Sequence, residues 1–157
     1  MISYIMIDER LKEIGIVLPD PPEPAGSYTP VVISKNTAYV SGQIPIDGSK
    51  ISYTGKVPSA QSVENGQKAA RLCTINALAQ LKSQLGTLDK ISKILRVSGF
   101  VNSEPDFYDH PKIINGSSDL LYQIFGDVGK HSRIAVGVNS LPLNSTVEID
   151  MIVEIIE

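Results

Sequence analysis

The sequence predicts an α+β domain in which two helices pack on one face of a mixed β-sheet. Strand-like and helix-like segments follow one another in the order β-β-α-β-α-β-β. The last strand-like segment alternates apolar and charged residues, as a strand with one buried face does. The longer helical segment carries small apolar residues at steps of three and four, which lets a helix lie close to a sheet.

Composition fits one soluble globular domain. The chain has 157 residues, 42% of them hydrophobic, and a formal net charge of −3, which allows a core without metals or disulfides. An acidic chain lacks the clustered Lys and Arg of a nucleic-acid interface, so no nucleic-acid partner is expected.

The first apolar run is too short to span a membrane, and Cys73 is the only cysteine. We therefore expect a reduced, cytoplasmic location and no membrane partner.

Residues 1–25 are predicted to stand apart from the main domain at 26–157. Apolar spacing over residues 7–14 suits one short helix. The stretch 18–26 contains four prolines, which lack the amide hydrogen that helices and central strands need, so it should be an extended connector.

The main domain is predicted from periodicity and from turn residues. In chain order its elements are strands at 31–33 and 37–40, a long surface loop at 42–58, a helix at 63–85, a strand at 94–101, a helix at 111–125, and strands at 133–138 and 146–156. Ser59 and Ser62 are candidate caps for the first of these helices, and Gly86 is its predicted stop.

The last strand also predicts self-association. Its alternating apolar residues face the helices, whereas we assign Ile149, Ile152 and Ile156 to positions outside that alternation. Both faces of the sheet would then carry apolar surface, while the two helices cover only one. A closed symmetric oligomer would cover the other face.

Most catalytic signatures are missing. The chain has no G-x-S-x-G, Walker or G-x-G-x-x-G motif. His110 and His131 do not stand at metal-ligand spacings, and we interpret both as surface or turn residues. Asp109 could orient His110 as a base, but an Asp-His pair before proline more often starts a helix. Cys73 lies on the apolar stripe of a helix, which favours an inert thiol. No metal or cofactor is expected.

Two charged residues and one tripeptide remain as candidates for chemistry. Arg133 offers a planar fork of donors that fits a carboxylate, and Glu148 is able to polarise a water. A structural ion pair or two solvated charges explain them equally well. If 139–145 is a turn, the two residues lie on neighbouring strands. The SGQ tripeptide at 41–43 would let a ligand approach the backbone, although a strand-ending turn explains it better.

The motifs YVSGQIPID at 39–47 and SRIAVGVNSLPLNSTVEIDMIVEI at 132–155, with the Ala-rich helix between them, resemble the RidA/YjgF family, also called the L-PSP endoribonuclease family. The likeness runs from about Gly26 to the end of the chain. It implies a chorismate-mutase-like α+β sandwich and a homotrimer with pockets between subunits. Characterised members hydrolyse reactive enamines and imines to 2-keto acids and ammonia. Others are associated with RNA cleavage or have no established activity.

The resemblance also implies roles for particular residues. Arg133 matches the arginine that grips the substrate carboxylate, and Glu148 matches the acid near the attacking water. The positions that match substrate-binding residues are Tyr28, Ser41, Gly42 and Asn115. Ala135 departs from the family pattern, in which this position is often Cys or Ser.

The leading hypothesis is cofactor-free hydrolysis of a small 2-imino acid. One alternative is a trimer that binds a small carboxylate metabolite without turnover, which the loss of a polar group at Ala135 favours slightly. The other is an endoribonuclease, which the acidic composition opposes.

Overall fold

The computed structural model describes residues 5–157 and confirms the α+β prediction. Residues 1–4 of the predicted N-terminal segment lie outside the described residues. The helices are α1 (Ile7–Glu13), α2 (Val63–Leu85) and α3 (His110–Phe125). The strands are β1 (Val31–Ser34), β2 (Thr37–Gln43), β3 (Ile46–Asp47), β4 (Lys50–Ile51), β5 (Ile91–Asn102), β6 (Ser132–Val138) and β7 (Val147–Ile155). Short 3-10 turns lie at Leu88–Lys90, Gly126–Gly129 and Pro142–Asn144.

Five strands form one mixed sheet in the order β1-β2-β7-β5-β6. β5 and β6 are parallel, and the other neighbouring pairs are antiparallel. β3 and β4 form a separate hairpin. The prediction of an uninterrupted loop over 42–58 is therefore wrong, since β2 extends into this segment and the small hairpin follows it.

The ends of α2 follow local signals in the sequence. The side chain of Ser62 accepts a hydrogen bond from the backbone N–H of Asn65, at 3.0 Å. Gly86 ends the helix with φ 81°, a left-handed conformation that glycine adopts without a Cβ penalty. Ser59, the other candidate cap, instead donates to Glu104 at 2.6 Å. The helix at 63–85 is confirmed with these boundaries.

α2 and α3 lie together on one face of the sheet and enclose the core. Alternate residues of β7, from Val147 to Ile155, face these helices and are buried. Ile149 is one of them and is 0% exposed, so its assignment outside the alternation was wrong. The period of a strand is two, and Ile149 is in phase with its buried neighbours. At Gly99 a Cβ atom would stand 2.6 Å from side-chain atoms of Ile114, so β5 and α3 approach closely there.

The N-terminal helix packs onto the domain. Leu11 is only 3% exposed and belongs to the same core cluster. Lys82 of α2 contacts the carboxylate of Asp8 at 2.8 Å, and Asp89 accepts a hydrogen bond from the backbone of Ile7 at 2.9 Å. Arg10 also donates from Nε to the carbonyl oxygen of Gln123, at 3.2 Å. α1 is thus held by one buried side chain and three polar contacts.

The face of the sheet away from the helices is uncovered in the single chain. It presents apolar side chains on three strands: Val32, Tyr39 and Ile134, which are 49%, 46% and 40% exposed. Within residues 5–157, no helix combines the length and apolarity needed to cross a membrane.

Candidate functional site

Arg133 and Glu148 lie on opposite faces of the sheet. β5 stands between their strands, with Val97 paired to Arg133 and Phe100 paired to Glu148. Val97 is buried under the helices, so its neighbour Arg133 lies on the helix side of the sheet. Phe100 stands three positions later on the same strand and points the other way, as does its neighbour Glu148. The expectation of neighbouring strands is therefore wrong, because the chain leaving β6 passes over β5 before it forms β7.

Arg133 is held by neutral groups of α3. Its Nη1 donates to Asn115 Oδ1 at 2.9 Å and to Ser118 Oγ at 3.0 Å. Its Nη2 donates to the carbonyl oxygen of Pro111 at 3.3 Å. Among the described residues, no carboxylate forms an ion pair with this guanidinium. Its positive charge is therefore held by α3 and has no counterion within residues 5–157.

Arg133 has donors left for a ligand. The group has five N–H bonds, of which three are used by the contacts above. The Nε hydrogen and one Nη2 hydrogen have no acceptor within residues 5–157. Nε and Nη2 share the edge that binds a carboxylate through two parallel hydrogen bonds.

Arg133 borders an open cavity of about 440 Å³. The other lining residues are Asn115, Ser118, Tyr122, Gly129, Lys130 and His131. Burial lowers the pKa of His131, and a hydrogen bond to the carbonyl oxygen of Gly129 opposes this. The positive charges of Arg133 and Lys93 lower the pKa further. The charges that line this cavity favour an anionic ligand.

Glu148 borders a second cavity, of about 390 Å³, together with Tyr28 and Gly42. β2 carries one extra residue here, since Val40 pairs with Met151 and Gln43 with Ile149. This bulge brings the backbone at Gly42 against the carboxylate of Glu148, where any Cβ would collide with Oε1. Burial raises the pKa of Glu148, and the negative charge of Asp150 adds to this.

Polar contacts fix the segment around this second cavity. Ser41 donates its backbone N–H to Pro30 and its hydroxyl to Thr29, both at 2.9 Å. Asn76 of α2 donates to the carbonyl oxygens of Ile44 and Ile46, at 3.1 and 3.0 Å. Ser41 therefore anchors the chain before β1, and Asn76 anchors the chain after the bulge.

Within one chain, the six residues named from the sequence separate into two groups. Tyr28, Gly42 and Glu148 line one cavity, with Ser41 beside it. Arg133 and Asn115 line the other and are directly bonded. Ser118, His131 and Asn76 were missed, because no local motif marks a contact that forms only when a helix packs on a strand or loop.

Two further groups stay outside both cavities. Cys73 is 0% exposed, and burial, followed by the charge of Glu148, raises the pKa of its thiol. His110 starts α3 and bonds Ser103 at 3.1 Å. No three His, Cys, Asp or Glu side chains among the described residues gather at a metal-binding distance.

Comparison with known protein families identifies the family of this chain. Residues 8–155 match the family model described as "YjgF/chorismate_mutase-like, putative endoribonuclease". The chain belongs to the RidA/YjgF family. Its mixed sheet with helices on one face is the chorismate-mutase-like arrangement of that family.

Individual RidA/YjgF relatives span nearly the whole chain. Protein TCP17 of Trypanosoma cruzi is 39% identical over 93% of this chain and 92% of its own length. A 2-iminobutanoate/2-iminopropanoate deaminase of Dermatophagoides farinae is 30% identical over 89% of this chain and 94% of its own length. The crystal structure of Atu1372, a protein of unknown function from Agrobacterium tumefaciens, is 46% identical with a TM-score of 0.90, over 96% of this chain and 92% of that one.

Proposed function

We propose that this protein hydrolyses small 2-imino acids to 2-keto acids and ammonia, in pockets formed between the subunits of a homotrimer. The observation that carries the proposal is the guanidinium of Arg133, which is held by uncharged acceptors and keeps its Nε hydrogen and one Nη2 hydrogen without an acceptor among the described residues. The relative named as a 2-iminobutanoate/2-iminopropanoate deaminase supports the choice of substrate.

Arg133 selects the substrate by its carboxylate. Three hydrogen bonds to α3 order the guanidinium before a ligand arrives, so little conformational entropy is lost on binding. The positive charge has no counterion in the described part of the chain, and an incoming carboxylate supplies one through two charge-assisted hydrogen bonds. A small 2-imino acid has its reacting carbon next to that carboxylate, so binding also fixes the reacting atom.

A second subunit is needed to bring Glu148 to the same substrate. Within one chain the sheet separates Glu148 from Arg133. The uncovered face beside Glu148 carries exposed Val32, Tyr39 and Ile134, which are suited to burial in an interface. In the proposed trimer, Arg133 of one subunit and Glu148 and Tyr28 of the next border one pocket.

The reaction needs a placed water and a base. A protonated imine is already electrophilic, so the enzyme mainly orients the reactants. Glu148 accepts a proton from the water as its oxygen attacks the imine carbon, and then gives that proton to the amino group. The C–N bond breaks and ammonia leaves, while the new hydroxyl gives its proton to Glu148 and becomes the keto oxygen. Its raised pKa makes the carboxylate a better base than an exposed glutamate. No cofactor is required for this hydrolysis.

A carboxylate-binding trimer without turnover is the second candidate. Ala135, two positions after Arg133, packs its methyl group against the core. It therefore provides no hydroxyl or thiol next to the proposed substrate. Tight binding of a 2-keto acid without imine hydrolysis would select this function.

The experiment generates 2-iminobutanoate in situ with an amino-acid oxidase and measures the appearance of 2-oxobutanoate and ammonia. The wild-type protein should accelerate both above the rate in buffer. Arg133→Ala should lose about 2–5 kcal/mol of transition-state binding, because it removes a desolvated, two-bonded charge contact. Arg71→Ala, which removes an arginine of α2 outside both cavities, is the matched control. A wild-type rate equal to that of buffer contradicts the proposal.

A further inference from the structure

We propose that Ser118 and His131 are positioning residues, which hold the guanidinium of Arg133 so that its Nε–Nη2 edge faces the cavity. The proposal rests on the carboxylate role proposed for Arg133. Ser118 Oγ lies 3.0 Å from Arg133 Nη1 and 2.8 Å from His131 Nε2. His131 Nδ1 lies 2.6 Å from the carbonyl oxygen of Gly129. One unbroken chain of hydrogen bonds therefore runs from the guanidinium to the backbone.

The directions of the two outer bonds in this chain follow from the chemistry of its ends, and the direction of the middle bond follows when His131 is neutral. A guanidinium only donates, so Ser118 accepts from Arg133 and has its own hydrogen left for another partner. A backbone carbonyl only accepts, so His131 carries a hydrogen on Nδ1. Nε2 of the neutral ring is then the acceptor for the hydroxyl hydrogen of Ser118. We call this the Ser118–His131 relay.

Electrostatics favour the same neutral state of His131. The positive charges that act on the ring are Arg133, at the start of β6, and Lys93 on β5. Lys130 and Tyr122 line the same cavity. Asp127 is bound to Lys130 at 2.8 Å. Burial and the two nearby cations lower the pKa of His131, which agrees with a ring that accepts through Nε2.

The relay fixes an orientation that the other contacts of Arg133 leave free. Asn115 accepts through its side chain at 2.9 Å, and the contact to Pro111 is long, at 3.3 Å. Ser118 is the acceptor that a second hydrogen bond holds in position, since it bonds His131, which in turn bonds the carbonyl oxygen of Gly129. Without the relay only the contacts to Asn115 and Pro111 remain, so the guanidinium has more freedom to turn and its carboxylate-binding edge is less firmly held in one direction.

The test combines three variants with two readouts. Ser118→Ala removes the bridge. His131→Phe keeps the ring volume but removes the acceptor, and His131→Gln restores an acceptor at about the reach of Nε2. Ser132→Ala is the matched control, because that hydroxyl neighbours Arg133 in the chain but donates to the carbonyl of Leu95, at 2.8 Å.

The first readout is the order of the Arg133 Nε–H group by ¹⁵N NMR relaxation, with the tautomer of His131 from its ring nitrogen shifts. The second is the KM and kcat for 2-iminobutanoate. Ser118→Ala and His131→Phe should disorder Arg133 and raise KM by about tenfold, as for a lost charge-assisted hydrogen bond, with a smaller change in kcat. His131→Gln should restore most of both, and wild-type His131 should show the Nδ1–H tautomer.

The two proposals fail in different ways. If the wild-type protein does not hydrolyse imines but Ser118→Ala still disorders Arg133, the proposed function is wrong and the relay stands. If Ser118→Ala and His131→Phe leave Arg133 as ordered as in Ser132→Ala, the relay is wrong whatever the wild-type activity. A hydrogen on Nε2 of the neutral ring would also overturn it, since Nε2 could then not accept from Ser118.

Discussion

Gly42→Ala, at the bulge in β2, should lower the activity strongly and the free energy of unfolding only slightly. The added methyl would overlap Oε1 of Glu148 and lie 3.1 Å from its Cδ and 3.4 Å from its Cγ. All three atoms belong to the end of a flexible side chain, so rotation of the carboxylate relieves the collision. Such a rotation away from a preferred rotamer costs about 1 kcal/mol. The carboxylate then stands about 1 Å or more from its place, a displacement that lowers kcat by about 100-fold.

The assay is chemical denaturation alongside imine hydrolysis, for Gly42→Ala, Glu148→Ala and the double variant. In the Glu148→Ala background the three atoms nearest to the new methyl are absent. Gly42→Ala should then change neither the free energy of unfolding nor the residual rate. A loss of about 1 kcal/mol that persists in the double variant, or a kcat that Gly42→Ala does not change, would refute the collision with Glu148 as the cause.

Three other predictions concern titration, reactivity and packing. The folded-state pKa of Glu148 is raised, so its contribution to stability is present below the unfolded pKa and is lost as the pH rises through the folded pKa. Glu148→Gln should therefore gain stability relative to the wild type between acid and neutral pH, and a gain that does not depend on pH would contradict this. Cys73 should resist a thiol reagent in the native state and react on unfolding, because it is buried and its pKa is raised; fast native labelling would contradict its burial. Gly99→Ala should lower the free energy of unfolding by about 1–3 kcal/mol through overpacking against Ile114. Ile114→Val in the same chain should recover part of that loss in denaturation curves, and an additive loss would show that the contact is not the cause.

The elements of the fold were predictable where their signals are local. Ser62 and Gly86 mark the ends of α2 through contacts within one helical turn. The alternation along β7 indicates which face is buried. A strict period of two places Ile149 on the buried face, where the structure has it. These patterns depend on a residue and its near neighbours in the chain.

The arrangement of the site was only partly predictable. The separation of Arg133 and Glu148 in sequence does not reveal that β5 lies between their strands, because strand order is set by pairing over long distances. Ser118 contacts Arg133 only because α3 packs against the edge of the sheet, and His131 joins them through Ser118. Gly42 was named as a place where a ligand could approach the backbone, and the structure adds that the carboxylate of Glu148 already lies against it.

Activity in mixed oligomers tests most directly whether Arg133 and Glu148 of different subunits form one site. Arg133→Ala and Glu148→Gln should each be inactive when assembled alone. If each pocket takes Arg133 from one subunit and Glu148 from the next, random co-assembly of equal amounts restores about a quarter of the pockets. Recovery of about that fraction of wild-type imine hydrolysis is the expected result. A mixture no more active than its two parents, under conditions where subunits exchange, would contradict a shared pocket.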